Sequence, residues 1–278
     1  MIRLLPVFRV IYHDIDTKIR NIGVMKNFNF YAPTEVVFGD QSEEQVALLV
    51  CLMSPWVEWY PIPVCRWLSR VSTSAGVTDM MMHTMERYFT KDDDMDFTTD
   101  LAEAALRSIK NAVFPVLKDP EDYRYRAQIM WGGSLMHNDL TGCGATGDWA
   151  THQLEHELSG MFDVTHGAGL AAIWPSWARY TMHENLRRFV RFAVNVMDVP
   201  NDFTDPEGTA EKGIQAMERF YHAIGMPINI KELIGRDITD EEIKEMTRKC
   251  SRDNTITCGA LKVLQAPDME AIYKMARG

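Results

Sequence analysis

The chain has 278 residues and a mass of 31.9 kDa, enough for one large or two medium domains around a substantial core. Its 46% hydrophobic and 24% charged content excludes a disordered or fibrous protein and makes disulfide staples unnecessary. A net charge of -10 and a pI near 5.3 argue against a phosphate-tracking surface, so nucleic acid is not expected as a partner.

The chain opens with MIRLLPVFRVIYHDIDTKIR, whose short apolar run is broken by Arg9 and lacks a small-residue cleavage site, so no signal peptide is expected. FNFYAPTEVVFG, residues 28–39, is aromatic and β-branched around a Pro-centred turn and predicts two short strands ending at Gly39. Residues 41–53 predict one helix. SPWVEWYPIPVCRW, residues 54–67, crowds Trp and Pro together and follows neither a helical nor a strand period.

From about Ser74 onward, apolar residues recur at three- and four-residue spacing over 76–89, 100–117, 122–138, 148–160, 167–196, 206–223 and 239–249. That pattern predicts a domain of about seven helices. Thr239 with Glu242 forms a capping box, and Asp205-Pro206 is a cap followed by a first-turn Pro. No apolar stretch approaches the roughly 20 residues of a membrane helix, so no membrane partner is expected. Cys51, Cys65, Cys143, Cys250 and Cys258 are odd in number and contain no CxxC pair, which fits a reducing interior and a cytoplasmic location.

Chemistry concentrates in two segments. Asp79 and His83, in GVTDMMMHTMERYF, are four apart and share one helical face. His152, His156 and His166 lie within DWATHQLEHELSGMFDVTHGAG, an apolar helical region that holds three of the eight His. One straight helix over 152–166 would separate its end His by about 21 Å, too far for a shared ion, so the chain must turn, and Gly160 together with FDVTHG, residues 162–167, is the expected break. His152 and His166 can then join Asp79 and His83 around one Fe(II) or Zn(II), metals that imidazole suits. Spacing alone equally favours His152 with His156. His137 and His183 are weaker candidates for a substrate cleft. Trp174 and Trp177 read as core, 91-KDDDMD-96 as a solvated loop, and Cys143 as a small residue at a loop-to-helix junction.

FNFYAPTEVVFG, GVTDMMMHTMERYF, DWATHQLEHELSGMFDVTHGAGLAAIWPSW and GMPINIKELIG together resemble the iron-containing (group III) alcohol dehydrogenase family, especially its NADPH- or NADH-dependent butanol dehydrogenase members. The resemblance implies Asp79, His83, His152 and His166 as metal ligands, with His156 lining the active site near nicotinamide and substrate as the catalytic residue. It implies a mainly α fold: the helical metal-binding domain of a dehydroquinate synthase-like architecture, with a truncated N-terminal α/β portion. Residues 71–278 would be the helical domain and 25–70 a remnant of the cofactor domain. Residues 1–24 would be a spurious or disordered extension ahead of Met25.

The sequence departs from the family at the Gly-Gly-Gly-Ser segment that holds the cofactor pyrophosphate at a helix N-terminus. Gly132-Gly133 reads instead as a close-packing point, and most of the cofactor domain is expected to be deleted between about residues 50 and 70. The implied function is NAD(P)H-linked interconversion of a short-chain aldehyde and a primary alcohol, using NADP(H) or NAD(H) with Fe(II) or Zn(II). The alternative is a catalytically inactive, truncated helical metal-binding protein. A surface that normally meets a cofactor domain would favour a homo-oligomer.

Overall fold

The computed structural model describes residues 68–278, so the strands expected at 28–39, the helix at 41–53 and the irregular stretch at 54–67 lie outside the described residues. Ten α-helices follow in order: α1 (Arg70–Tyr88), α2 (Asp96–Lys118), α3 (Tyr123–His137), α4 (Ala150–Phe162), α5 (His166–Thr181), α6 (Leu186–Asn195), α7 (Pro206–Ala223), α8 (Ile230–Ile234), α9 (Asp240–Cys250) and α10 (Ala266–Met275). Short 3-10 turns occupy Leu140–Gly142 and Met182–Glu184. Among the described residues β-type pairing is confined to an isolated bridge between Cys258 and Leu264. The mainly α expectation holds. No helix among them is long and apolar enough to cross a membrane.

Local chemistry sets the helix starts. Ser69, Asp122, Asn185 and Asp205 each accept a hydrogen bond from a backbone N–H in the following first turn. The Thr239/Glu242 capping box is present in both directions. Helix α5 is the centre of the bundle: thirteen of its sixteen residues are buried, as an element enclosed on nearly all sides requires. It packs against α1, α4, α7, α8 and α10. Trp174 and Trp177 from α5 meet Phe89, which stacks on Phe189 at 4.4 Å, so the two Trp are core as the sequence indicated.

Glycine sets how closely α5 lies on α1. A Cβ at Gly167 would fall 2.1 Å from the carbonyl oxygen of Ala75, so only Gly lets the start of α5 press onto the α1 backbone. Gly132 and Gly133 pack against Ile109 and Met80, which bears out their reading as close-packing points.

Three expectations need correction. The region 167–196 is not one helix, because α5 stops at Thr181, a 3-10 turn intervenes, and Asn185 caps a new helix, α6. The break falls within FDVTHG, as expected, but Gly160 takes no part in it: Gly160 lies inside α4, which ends at Phe162 and is capped by Asp163 in the left-handed conformation (φ 51°), a geometry that short polar Asp tolerates. Helices α8 and α10 had no expected counterpart, and the five residues of α8 (Ile230–Ile234) are too few to display a helical period.

Candidate metal centre

The centre forms where α1, the end of α3, α4 and the start of α5 meet. Asp79 and His83 project from one face of α1, and His152 from the first turn of α4. The reversal through Asp163, Val164 and Thr165 brings back His166 as the first residue of α5. Asp79 Oδ1 then faces His152 Nε2 at 3.5 Å, His166 Nε2 at 3.5 Å and His83 Nε2 at 3.7 Å. Donors on a tetrahedral metal at about 2.0–2.1 Å stand roughly 3.4 Å apart, so these separations match a ligand shell.

The protonation pattern points the same way. His152 Nδ1 and its own backbone N–H both reach Glu86 Oε1, at 3.1 and 3.0 Å. His166 Nδ1 is hydrogen-bonded to Glu155. Glu86 and Glu155 are buried, and each anchors the far nitrogen of one imidazole, so the near nitrogen of the neutral ring carries a lone pair aimed at Asp79. Asp79 Oδ1 and His152 Nε2 are buried without a hydrogen bond. A carboxylate and an imidazole lone pair facing one another require a proton or a cation between them.

Protons take that place when no cation does. Burial pushes Asp79 upward, but the facing imidazoles of His137, His152 and His166, with the charge of His83, outweigh it and hold the carboxyl well below the usual range. Bonds to Asp79 and then Glu155 raise His166 to about 10. For His152 burial works downward, yet Asp79 and Glu86 leave it raised. Burial lowers His83 to about 4, with Asp79 opposing and nearby His137, His152 and Arg87 assisting.

Among the described residues three close donor sets result: Asp79, His152 and His166; Asp79, His83 and His137; and Glu155, His156 and His166, each within 4.8 Å. The four residues singled out in the sequence thus converge on Asp79, although His83 groups more closely with His137 than with the other two His. His156 is exposed one turn beyond His152, its ring stacked on that of His166 at 5.7 Å. Burial, with charge from His166 and His152, keeps its pKa low against the opposing pull of Glu155. His183 is elsewhere, exposed and 3.7 Å from Glu207. Cys143 is half-buried beside the Asp139 carbonyl, and burial raises its thiol pKa.

Sequence reasoning missed Glu86, Glu155 and Asp148. The HxxE spacing of His83 and Glu86 was visible, but the partner of Glu86 lies on another helix. Asp148 is also buried: its N–H donates to the Glu86 carbonyl at 2.7 Å, and its Oδ2 accepts from Ala260 and Leu261. Burial and the charge of Glu86 raise its carboxyl to about 7 against those backbone bonds.

Fold and site together define a helical domain built around a cluster of carboxylate and imidazole groups that could hold a metal ion. The chain belongs to the Fe-containing alcohol dehydrogenase family, whose C-terminal domain model matches residues 73–277. It is 33% identical over 202 residues to a probable NADH-dependent butanol dehydrogenase 1 of Bacillus subtilis, covering 73% of this chain and 51% of the relative. It is 31% identical to the NADPH-dependent aldehyde reductase YqhD of Escherichia coli, with the same coverage. The solved NADH-dependent butanol dehydrogenase A of Thermotoga maritima superposes with a TM-score of 0.72 at 28% identity, over 78% of this chain and 55% of that one. The chain therefore spans about half the length of the curated relatives it matches.

Proposed function

We propose that this chain is a divalent-metal-binding helical protein, with Asp79, His83, His152 and His166 as the ligands and Fe(II) or Zn(II) as the metal. Support comes from one observation above the rest: His152 and His166, each with its far nitrogen held by a buried carboxylate, turn their near nitrogens on a single oxygen of Asp79. Imidazole nitrogens with one carboxylate suit Fe(II) or Zn(II) better than Ca(II) or Mg(II). Domain bounds of 71–278 belong to the same proposal.

A second reading is supported by the names of the relatives: reversible NAD(P)H-linked reduction of a short-chain aldehyde to a primary alcohol. The metal would supply Lewis-acid polarisation of the carbonyl oxygen. His156, exposed and kept neutral, would accept or return a proton at its imidazole beside that oxygen, as general acid-base chemistry near neutrality demands. Asp79 would fix the metal, while Glu86 and Glu155 would hold two ligand rings in register.

The test is metal content of the purified full chain after dialysis against Fe(II) or Zn(II), alongside Asp79→Ala and His152→Ala. About one tightly held ion, lost in both variants, is expected, and equal metal in all three proteins would refute the assignment. Titrating the loaded protein with NADH and NADPH decides the second reading, since hydride chemistry requires that binding.

A further inference from the structure

Trp149, the residue before α4, has a left-handed backbone (φ 61°, ψ 9°), a genuine outlier for a bulky side chain. Such strain persists only where the surroundings impose it. On one side Asp148 is tied to the Glu86 carbonyl at 2.7 Å and to the N–H groups of Ala260 and Leu261, and on the other the Ala150 N–H donates to Asp148 Oδ1 at 3.1 Å. Gly147 makes room for the ring, since a Cβ there would fall 2.4 Å from the indole Nε1. The half-buried indole therefore meets His83 and His152 edge-on, its ring centre 5.3 Å from each, and those two rings are 4.8 Å apart. The Arg87 guanidinium lies over the indole at 5.2 Å.

We propose that Trp149 is a positioning residue of the metal centre: its indole, anchored by Arg87, is the wall that holds the His83 ring in ligating orientation beside His152. The need for a wall follows from how the ligand rings are held. A ligating imidazole is ordinarily oriented by a hydrogen bond at its far nitrogen, as Glu86 does for His152 and Glu155 for His166. His83 has no such anchor, because its Nδ1 is buried without a hydrogen bond. Its orientation is left to ring contacts, with Trp149, His152 and His137. Of these, Trp149 is fixed by its own backbone and by Arg87, which is itself buried, paired with Asp139 at 2.7 Å and bonded to the Met136 carbonyl at 2.6 Å. An indole on so rigid a mount costs the centre little motion, and it excludes water from one side of the His83 ring.

The proposal rests on the metal-centre reading, and one experiment separates the two. Metal-stripped full chain is titrated with Co(II), following visible absorption and tryptophan emission, for the wild type, Trp149→Phe and Trp149→Gly. The Gly variant should keep a metal-free thermal transition near that of the wild type, because relief of the left-handed backbone offsets the lost packing of a half-buried ring. Its Co(II) affinity should nonetheless fall at least about tenfold, with a changed absorption envelope. Trp149→Phe restores a ring and should recover most of the affinity and the wild-type envelope, while losing the largest part of the emission that bound Co(II) quenches. Wild-type affinity and envelope in Trp149→Gly overturn the proposal, as does a Phe variant no better than the Gly variant. Quenching that is equal in the wild type and Trp149→Phe places the indole away from the ion and overturns it as well. Should Trp149→Gly fail to fold, Trp149→Asn, which tolerates the left-handed backbone without supplying a ring, takes its place with the same expectations. No Co(II) bound by the wild type overturns the metal-centre reading and this proposal with it.

Discussion

One oxygen of Glu86 accepts both the backbone N–H and the Nδ1–H of His152, fixing the start of α4 and the orientation of its imidazole with one buried carboxylate. Glu86→Ala removes that acceptor and leaves two buried donors unpaired, a cost of about 1–3 kcal/mol each. Glu86→Gln retains an acceptor but loses the charge that makes the ring basic. We expect metal affinity to fall about 10- to 100-fold in Glu86→Gln, with a smaller loss of melting temperature than in Glu86→Ala. Competition against a chromogenic chelator measures it, and an unchanged Glu86→Gln affinity would remove the carboxylate from any role in tuning the centre.

Metal binding should release protons. With no cation bound, His166 titrates near 10 and is protonated at neutral pH, so the metal must displace that proton. Affinity is expected to rise as pH goes from 6 to 8, by roughly tenfold per pH unit for each proton released. Calorimetry in two buffers of different ionisation enthalpy counts the protons, and a pH-independent affinity would contradict the assignment.

Stability without metal should follow the opposite course. The folded-state pKa of His166 lies above the ordinary imidazole value of 6.5, so its contribution is fully present below about pH 6.5 and is lost as pH rises towards 10. Asp79, held below the ordinary carboxylate value of 3.8, contributes above that pH and is lost on acidification. The metal-free melting temperature should therefore decline from pH 6.5 to 10, and added Zn(II) should restore it. At a thousandfold excess over Kd the ion should add about 4 kcal/mol in the wild type and nothing in Asp79→Ala.

Gly167→Ala is expected to damage fold and centre together. Its Cβ would meet the Ala75 carbonyl oxygen at 2.1 Å, a backbone atom that cannot swing aside. Overpacking of this kind costs about 1–3 kcal/mol, and the shift of α5 carries His166 away from Asp79. Denaturant unfolding and metal content should both fall. Gly160→Ala, where nothing lies within 4 Å, is the control expected to leave both intact.

Much of this was legible in the sequence because it is local. The four-residue spacing of Asp79 and His83 puts both on one face of α1 whatever surrounds it, and Thr239 with Glu242 writes its own cap. The turn between His152 and His166 was legible as a necessity of distance, and FDVTHG marked its place, but the share expected of Gly160 does not exist. Gly160 has helical neighbours on both sides that keep α4 intact, and the reversal falls to Asp163 in a conformation that few non-glycine residues adopt.

The sequence by itself determined the helical class, the donor chemistry and the family, since residue type and 3.6-residue periodicity are properties of short segments. Only the tertiary structure decided which carboxylates serve which rings. Glu86 meets a His 66 positions away, and Asp79 meets His137 across 58, contacts that arise where helices cross and that no local period encodes. The packing of α5 onto α1 through Gly167 closes that distance. It thereby turns scattered acids and imidazoles into one centre.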